Sequence, residues 1–366
     1  MDNRRSTART RHTGVRIAAL LITLLVSVQG FGAVHVAAAS FMVSHPVPWS
    51  PLNLALEDDG VIWMTFPADN RIGRLTVAED GTSDFTSYTP PTAGSEPYDI
   101  VYHNETIWFT QKAGNRLARL DATDTGSGIS EFVLPTAGGD PTGLAVGPDG
   151  RVWVLAQGTN RLAVFDPDTS TFDEVDIPAS VHDAGAEKIA TRNDNTVWFA
   201  APDADLVVSY DANSGNFALA GTISPTGVFT QPLGITIDAT GRPWVAVRGS
   251  DAVGRYTPET LSFWRWFKTP HEGGGATNLS IYNAGTRRRV FFSEVESGSV
   301  GYILIRSSDT RLLGVGGSSL PAANGRPWDI QADSMGHAWI TDTAANAIVQ
   351  WQPPYVNNAF LPRVHR

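Results

Sequence analysis

The sequence predicts an all-β protein, a seven-bladed β-propeller with four-stranded blades, and three observations predict it. An aromatic residue stands inside a short apolar strand pattern seven times, at Trp63, Trp108, Trp153, Trp198, Trp244, Phe291 and Trp339. Their spacings are 45, 45, 45, 46, 47 and 48 residues, and a period in the forties with one aromatic per β-rich unit marks a propeller blade. Seven residues after each aromatic comes a turn residue opening the next strand: Asn70, Asn115, Asn160, Asp205, Asp251, Gly298 and Asn346. Asn and Asp there suit a turn that bonds its own backbone.

Residues 1–39 differ from the repeats. Arg4, Arg5, Arg9, Arg11 and Arg16 precede the apolar run Ile17 to Val28, and Ala37-Ala38-Ala39 supplies small residues of the kind a signal peptidase accepts. This reads as a secretory signal peptide cleaved after Ala39, the alternative being a retained membrane anchor. The propeller is expected over residues 40–355, and residues 356–366 form a short tail.

Blade one sets the grammar. Leu52 to Leu56 alternates, Glu57-Asp58-Asp59-Gly60 turns, and Val61 to Thr65 returns as a tight hairpin. Asn70 to Leu75 is the third strand, and a fourth follows in the first six blades. Blade seven lacks its fourth strand, because Trp351-Gln352-Pro353-Pro354-Tyr355 breaks the pattern. Residues 41–45 are therefore expected to close the ring as its outer strand, removing the open edge. A closed ring reads as a monomer. The repeated tryptophans are expected to pack between blades.

The chain has 366 residues, 27 basic and 37 acidic, for a formal charge of −10. Residues 1–39 hold five Arg and one Asp, so cleavage leaves a more acidic protein. Such a surface repels phosphate backbones and argues against a nucleic-acid partner. Membrane contact is expected only through the N-terminal segment. Arg287-Arg288-Arg289 is the one basic run and reads as a solvated turn. With no Cys, neither disulfides nor thiolate metal sites exist.

Pro141-Thr142-Gly143-Leu144, Pro232-Leu233-Gly234-Ile235, Trp108-Phe109-Thr110-Gln111 and Asn70-Arg71-Ile72-Gly73-Arg74 resemble the virginiamycin B lyase (streptogramin lyase) family of seven-bladed propellers. The resemblance runs from about residue 41 to 353. It implies a lyase that linearises a cyclic depsipeptide by elimination, with a His as base and Mg²⁺ held by Glu residues. The family's His follows Pro in the loop leading into a blade, and its metal-binding Glu lies three residues after the aromatic.

The seven lead-in slots here read Leu52, Tyr98, Thr142, Glu187, Leu233, Leu279 and Trp328, and none is His. The position three after the aromatic reads Phe66, Gln111, Ala156, Ala201, Val247, Glu294 and Asp342. Both slots fall on one face, two strand lengths and one reversal apart. Glu294 matches the family's metal ligand, with Asp342 as a second. His271, on the lead-in loop of the same blade, is the substitute base, with Glu187 as another candidate. His182 beside Asp183 is a weaker one.

Glu96, Tyr98, Asp99, Gln111, Asp140, Trp328 and Asp329 make up the rest of the expected binding face. Its carboxylates offer oxygens to Ca²⁺ or Mg²⁺. Three functions remain open. One is a module binding a small molecule or protein at the channel mouth. Another is a metal-dependent carbon–oxygen lyase. The third is a gluconolactonase-like hydrolase, which needs at least three oxygens around one central ion.

Overall fold

The computed structural model describes residues 40–181, 185–221, 223–224, 227–228, 230–257, 264–308 and 311–354. The expected signal peptide, the tail 356–366 and His182-Asp183 lie outside the described residues. Seven four-stranded antiparallel sheets follow one another in sequence order. Blade one runs Leu54–Asp58, Val61–Phe66, Arg71–Val77 and Ser83–Tyr88. The last blade takes Pro327–Ala332, Ala338–Asp342 and Ala347–Gln352 from the C-terminal end. Phe41–Pro46 completes it, pairing from Phe41↔Gln352 to Pro46↔Ala347. The ring therefore closes as expected. Trp351 Nε1 donates to Ser40 Oγ at 2.8 Å, which adds a side-chain latch to the seam.

Each repeated aromatic is buried and joins its own blade to the next. Trp63 packs with Ile100 and Ile107 of blade two, Trp153 with Val197 and Phe199 of blade four, and Trp339 with Leu54 and Ile62 of blade one. Truncating one such ring would cost about 3–5 kcal/mol. Three indole N–H groups are also satisfied by a carboxylate six residues upstream. The pairs are Trp63–Glu57 at 2.7 Å, Trp244–Asp238 at 3.0 Å and Trp339–Asp333 at 3.1 Å.

The turn residues after the second strand do more than close their own turn. Asn70, Asn115, Asn160, Asp205, Asp251 and Asn346 all adopt left-handed backbone, with φ between 47° and 53°. Four of the side chains reach the following lead-in loop. Asn70 Oδ1 accepts from Ser95 N, Asn115 Oδ1 from Gly139 N and Asp205 Oδ1 from Gln231 N, each at 2.8 Å. Asp251 accepts from both Gly273 N and Gly275 N, at 2.7 and 3.0 Å.

Two expectations need correction. Arg287–Arg289 is not a solvated turn: these residues begin the strand Arg287–Glu294, and Arg288 is buried, donating to Asp238. The lead-in slot of blade six is Thr277, not Leu279. Ala276 pairs with Glu294 just as Pro141 pairs with Ala156 and Pro327 with Asp342. Blade six has a longer first hairpin, with 15 residues from Ala276 to Phe291 against 12 from Pro141 to Trp153, and that displaced the count.

Candidate functional site

The lead-in slots are fixed by hydroxyl latches between blades. Thr65 Oγ1 donates to the carbonyl of Tyr98 at 2.7 Å, Thr110 Oγ1 to that of Thr142 at 2.7 Å, and Ser293 Oγ to that of Trp328 at 2.8 Å. Asn53 and Asn278 add amide donors to the Tyr98 and Trp328 carbonyls, at 2.9 and 3.0 Å. The half-buried side chains of Tyr98 and Trp328 therefore stand on rigid backbone at the lead-in face.

The residue after the slot lines the central channel in blades two, four, six and seven, as Asp99, Lys188, Asn278 and Asp329. Here the structure brings together Asp99 of blade two, Lys188 of blade four and Asp329 of blade seven. Lys188 Nζ lies 2.7 Å from Asp99 Oδ1 and 3.3 Å from Asp329 Oδ2. Both aspartates also accept backbone N–H bonds from a neighbouring blade, Asp99 from Leu144 at 3.0 Å and Asp329 from Leu54 at 3.1 Å. Burial opposes the charge on Lys188, but Asp329 and Asp99 outweigh it and hold the ammonium pKa above the ordinary lysine value. Burial is the stronger influence on Asp99 and lifts its pKa against the pull of Lys188. The two directions agree: one cation between two carboxylates leaves an excess negative charge that burial disfavours.

These three residues sit at one end of a channel cavity of about 360 Å³ walled by first strands such as Ile100, Leu144, Ile235 and Ile330. Above them, the Tyr98 hydroxyl stands near the Glu187 carboxylate across the intervening blade, and each perturbs the other's titration. Burial raises the Glu187 pKa, opposed by the Tyr98 hydroxyl and by Lys112 and Lys188. Burial and Glu187 together push the Tyr98 phenol up. Lys112 Nζ stands 4.9 Å from the Tyr98 ring centroid, a cation–π contact. Gly143 makes the crossing possible, because a Cβ there would meet the Glu187 carbonyl oxygen at 2.7 Å.

A second constellation lies over blade six. His271 Nδ1 is 2.6 Å from Glu294 Oε2, with Glu294 fully buried and the His271 side chain 32% exposed. The other repeats explain the contact. In blade two, Thr92 Oγ1 donates to Glu131 at 2.6 Å, and Gln111 Nε2 reaches the same carboxylate at 2.8 Å. His271, Gly317 and Glu294 hold the corresponding positions of blade six, by register through Gly301. Glycine in place of the outer-strand Glu clears the space: a Cβ on Gly317 would meet His271 Cε1 at 2.8 Å. The imidazole turns into that gap and onto Glu294, on a loop braced by Asp251.

The expected residues thus divide. His271 and Glu294 converge. Tyr98, Glu187 and Asp99 form one connected cluster with Asp329. Glu96 and Asp140 are exposed, each in left-handed backbone just before a proline. Gln111 is buried and faces Glu131, so it is not part of an open binding face. Asp342 is buried too, with Oδ1 accepting from Arg326 N at 3.0 Å and from Ala345 N at 3.1 Å. Lys188, Lys112 and Gly317 were not anticipated, and Asp251 was read only as a turn residue.

A resident divalent ion does not fit these residues. Glu294 Oε1 and Asp342 Oδ2 are buried without a hydrogen-bond partner, but they belong to different blades. No group of three His, Asp or Glu converges among the described residues. Glu294 offers one carboxylate oxygen, its mate holding a histidine, so an ion there would draw nearly all of its six or more ligands from water or substrate rather than from this chain. At the channel centre, where a lactonase ion would sit, Asp99 and Asp329 already share the ammonium of Lys188.

The sequence matches the model of the Virginiamycin B lyase family over residues 37–311. No curated protein matches it. Among solved structures, the selenomethionine-substituted virginiamycin B lyase from Staphylococcus aureus superposes with a TM-score of 0.71 at 20% identity, over 86% of this chain and 99% of that one. A streptogramin B lyase structure gives 0.72 at 20%, over 86% and 98%. A catalytically inactive histidine-to-alanine variant of the Staphylococcus aureus enzyme, with quinupristin, gives 0.71 at 21%, over 86% and 99%. Likeness at such identities concerns the fold.

Proposed function

The chain belongs to the virginiamycin B lyase family, and on that premise we propose that it is an exported propeller that binds a ligand at its lead-in face without the family's elimination through a lead-in histidine. The observation that carries this reading is the closed floor of the channel mouth, with Lys188 locked between Asp99 and Asp329. A ligand resting there meets the Tyr98–Glu187 pair, the Lys112 ammonium and the Trp328 ring. That surface offers stacking, hydrogen bonding and one half-buried cation. Glu187 occupies a slot of the kind the family gives its histidine, but its carboxylate lies among the Tyr98 hydroxyl and the Lys112 and Lys188 charges, which favour its ionised form against burial.

A second reading has one observation in its favour. The 2.6 Å His271–Glu294 pair is the geometry of a base oriented by a carboxylate, with Nε2 left for a substrate proton. In that reading the chain is a carbon–oxygen lyase working from blade six, with Glu294 fixing the imidazole.

One experiment separates the two. Quinupristin, the compound held by the Staphylococcus aureus variant, is titrated calorimetrically and the mixture is then chromatographed for the linear product. The binding reading expects saturable heat, weakened by Tyr98→Ala, with the ring intact. A linear product that disappears in His271→Ala would establish the lyase instead. Absence of saturable heat would refute binding for this ligand class.

A further inference from the structure

Blade seven departs from a rule that other blades keep at the base of the ring, the end opposite the lead-in loops. In blade one, Arg74 stands opposite Trp63 on the neighbouring strand, with its Cζ 5.7 Å from the ring centroid. Trp63 Nε1 and Arg74 Nε share one acceptor, Glu57 Oε2, at 2.7 and 3.2 Å. In blade five, Arg255 stands opposite Trp244, 5.9 Å from its centroid. Asp238 Oδ2 there lies 3.0 Å from the indole nitrogen and 3.5 Å from Arg255 Nε. Blade two keeps the cation too, with Arg119 opposite Trp108 and 5.8 Å from its centroid. A guanidinium placed over an indole and beside a carboxylate gains both cation–π and ionic attraction.

Blade seven has the indole and the carboxylate without that cation. Trp339 Nε1 donates to Asp333 Oδ2 at 3.1 Å, but the residue opposite Trp339 is Gln350. His337 Nδ1 lies 3.2 Å from the same Asp333 oxygen instead. Against Trp339 and Gln350 lies a cavity of about 450 Å³ whose wall also includes His45 and His337, with Glu79 and Asp80 exposed at its rim. No Arg or Lys lines it among the described residues. His45, on the ring-closing strand, is 3% exposed, and its Nε2 is buried with no hydrogen-bond partner. Burial lowers its pKa, so the imidazole is uncharged at neutral pH. An aromatic wall, an unmet nitrogen and carboxylates in a protein of net charge −10 all suit a cation. An organic cation fits this spread-out wall better than a metal ion, because no three His, Asp or Glu converge among the described residues.

We propose that the cavity between blades seven and one binds an alkylguanidinium group, seated over Trp339 where blades one, two and five place an arginine of their own. Exposed Phe41 at the same cavity offers apolar surface to the alkyl stem. The guanidinium is either that of a soluble small molecule or that of an arginine side chain on a partner peptide. This seat lies at the opposite end of the ring from the lead-in face and is independent of the ligand proposed there.

The test uses the full chain in low salt. Calorimetric titration with butylguanidinium chloride reads the soluble source, and a blocked glycine–arginine–glycine peptide reads the side chain. Butylurea, of the same shape without the charge, is the control. Saturable binding of butylguanidinium is expected, with none of butylurea over the same concentrations. Binding of the peptide as well assigns the seat to an arginine side chain, and binding of the small cation alone assigns it to a soluble ligand. Gln350→Arg supplies the cation that the other blades carry. It should weaken binding about tenfold or more, because the built-in guanidinium fills the seat, while the melting temperature stays at or above that of the wild type. Glu79→Gln with Asp80→Asn, on an exposed turn, should weaken binding about twofold to fivefold and keeps the test valid if the first variant misfolds. Binding of neither cation overturns the proposal. So does binding that Gln350→Arg or the rim double variant leaves unchanged, or equal binding of butylurea.

Discussion

Replacing Lys188 by Met removes the one cation between two buried carboxylates and keeps the length of the side chain. Asp99 and Asp329 are each 4% exposed, and their remaining partners are backbone N–H groups. Breaking a buried ion pair by deleting one partner costs about 3–5 kcal/mol, because the survivors keep their desolvation cost. At roughly 2 °C per kcal/mol for a domain of this size, the melting temperature at neutral pH should fall by about 6–10 °C. The pH dependence carries the sign. Burial already lifts the Asp99 pKa, and removing the ammonium takes away the pull that opposes that rise. A group raised in the folded state contributes stability below its unfolded pKa and loses it as pH rises through the folded pKa. The deficit should therefore be largest at neutral pH and shrink toward pH 4. Tryptophan-fluorescence melts of wild type and variant at pH 7 and pH 4 measure both points. A neutral-pH loss under about 2 °C, or a deficit that grows on acidification, would refute the role given to Lys188 between the two aspartates.

Three further outcomes follow from the same contacts. Asp251→Ala should cost about 2–4 kcal/mol in denaturant titrations, since it removes two N–H bonds and leaves a non-glycine residue at φ 47°; Asp251→Gly should cost less. Gly317→Ala should cost about 1–3 kcal/mol by crowding the imidazole, and it should shift the His271 ring resonances in NMR spectra while leaving those of His337 in place. Asp238→Asn should cost about 3–5 kcal/mol, because buried Arg288 and Arg255 lose their carboxylate. Thr240, Trp244 and Arg288 outweigh burial and hold the Asp238 pKa below the ordinary range, so its contribution is present above about pH 4 and lost as pH falls. Acid melts of the wild type should consequently drop more steeply than those of Asp238→Asn.

The fold was legible because every blade must solve the same problem. Each buries one aromatic against its neighbour and turns at a left-handed residue, so Trp63 and Asn70 are repeated wherever the chain repeats. The ring seam was legible for the same reason, since Phe41–Pro46 supplies what the Trp351–Tyr355 end lacks. The site was less so. Reading the slot after proline found Tyr98 and Glu187, but the channel is lined by the following residue. That column reads Asn53, Asp99, Gly143, Lys188, Gly234, Asn278 and Asp329. Its lone lysine between aspartates was the available signal. What no single column shows is that three blades aim these groups at one point.

The His271–Glu294 pair shows how a repeat protein acquires a site. Blade two holds Thr92, Glu131 and Gln111 in a closed polar knot that braces its lead-in loop. At the corresponding three positions, blade six has His271, Gly317 and Glu294. Deleting the outer carboxylate opens a space, lengthening the loop residue to an imidazole fills it, and the second-strand amide becomes a buried carboxylate to hold that ring. The histidine that results is partly open to solvent and fixed by one strong bond, on a loop tied twice to Asp251. Restoring the blade-two set by His271→Thr, Gly317→Glu and Glu294→Gln together should therefore leave stability within about 1 kcal/mol of wild type, although Gly317→Glu alone would clash with the ring. If the triple variant were as unstable as the worst single one, the correspondence between the two blades would be wrong.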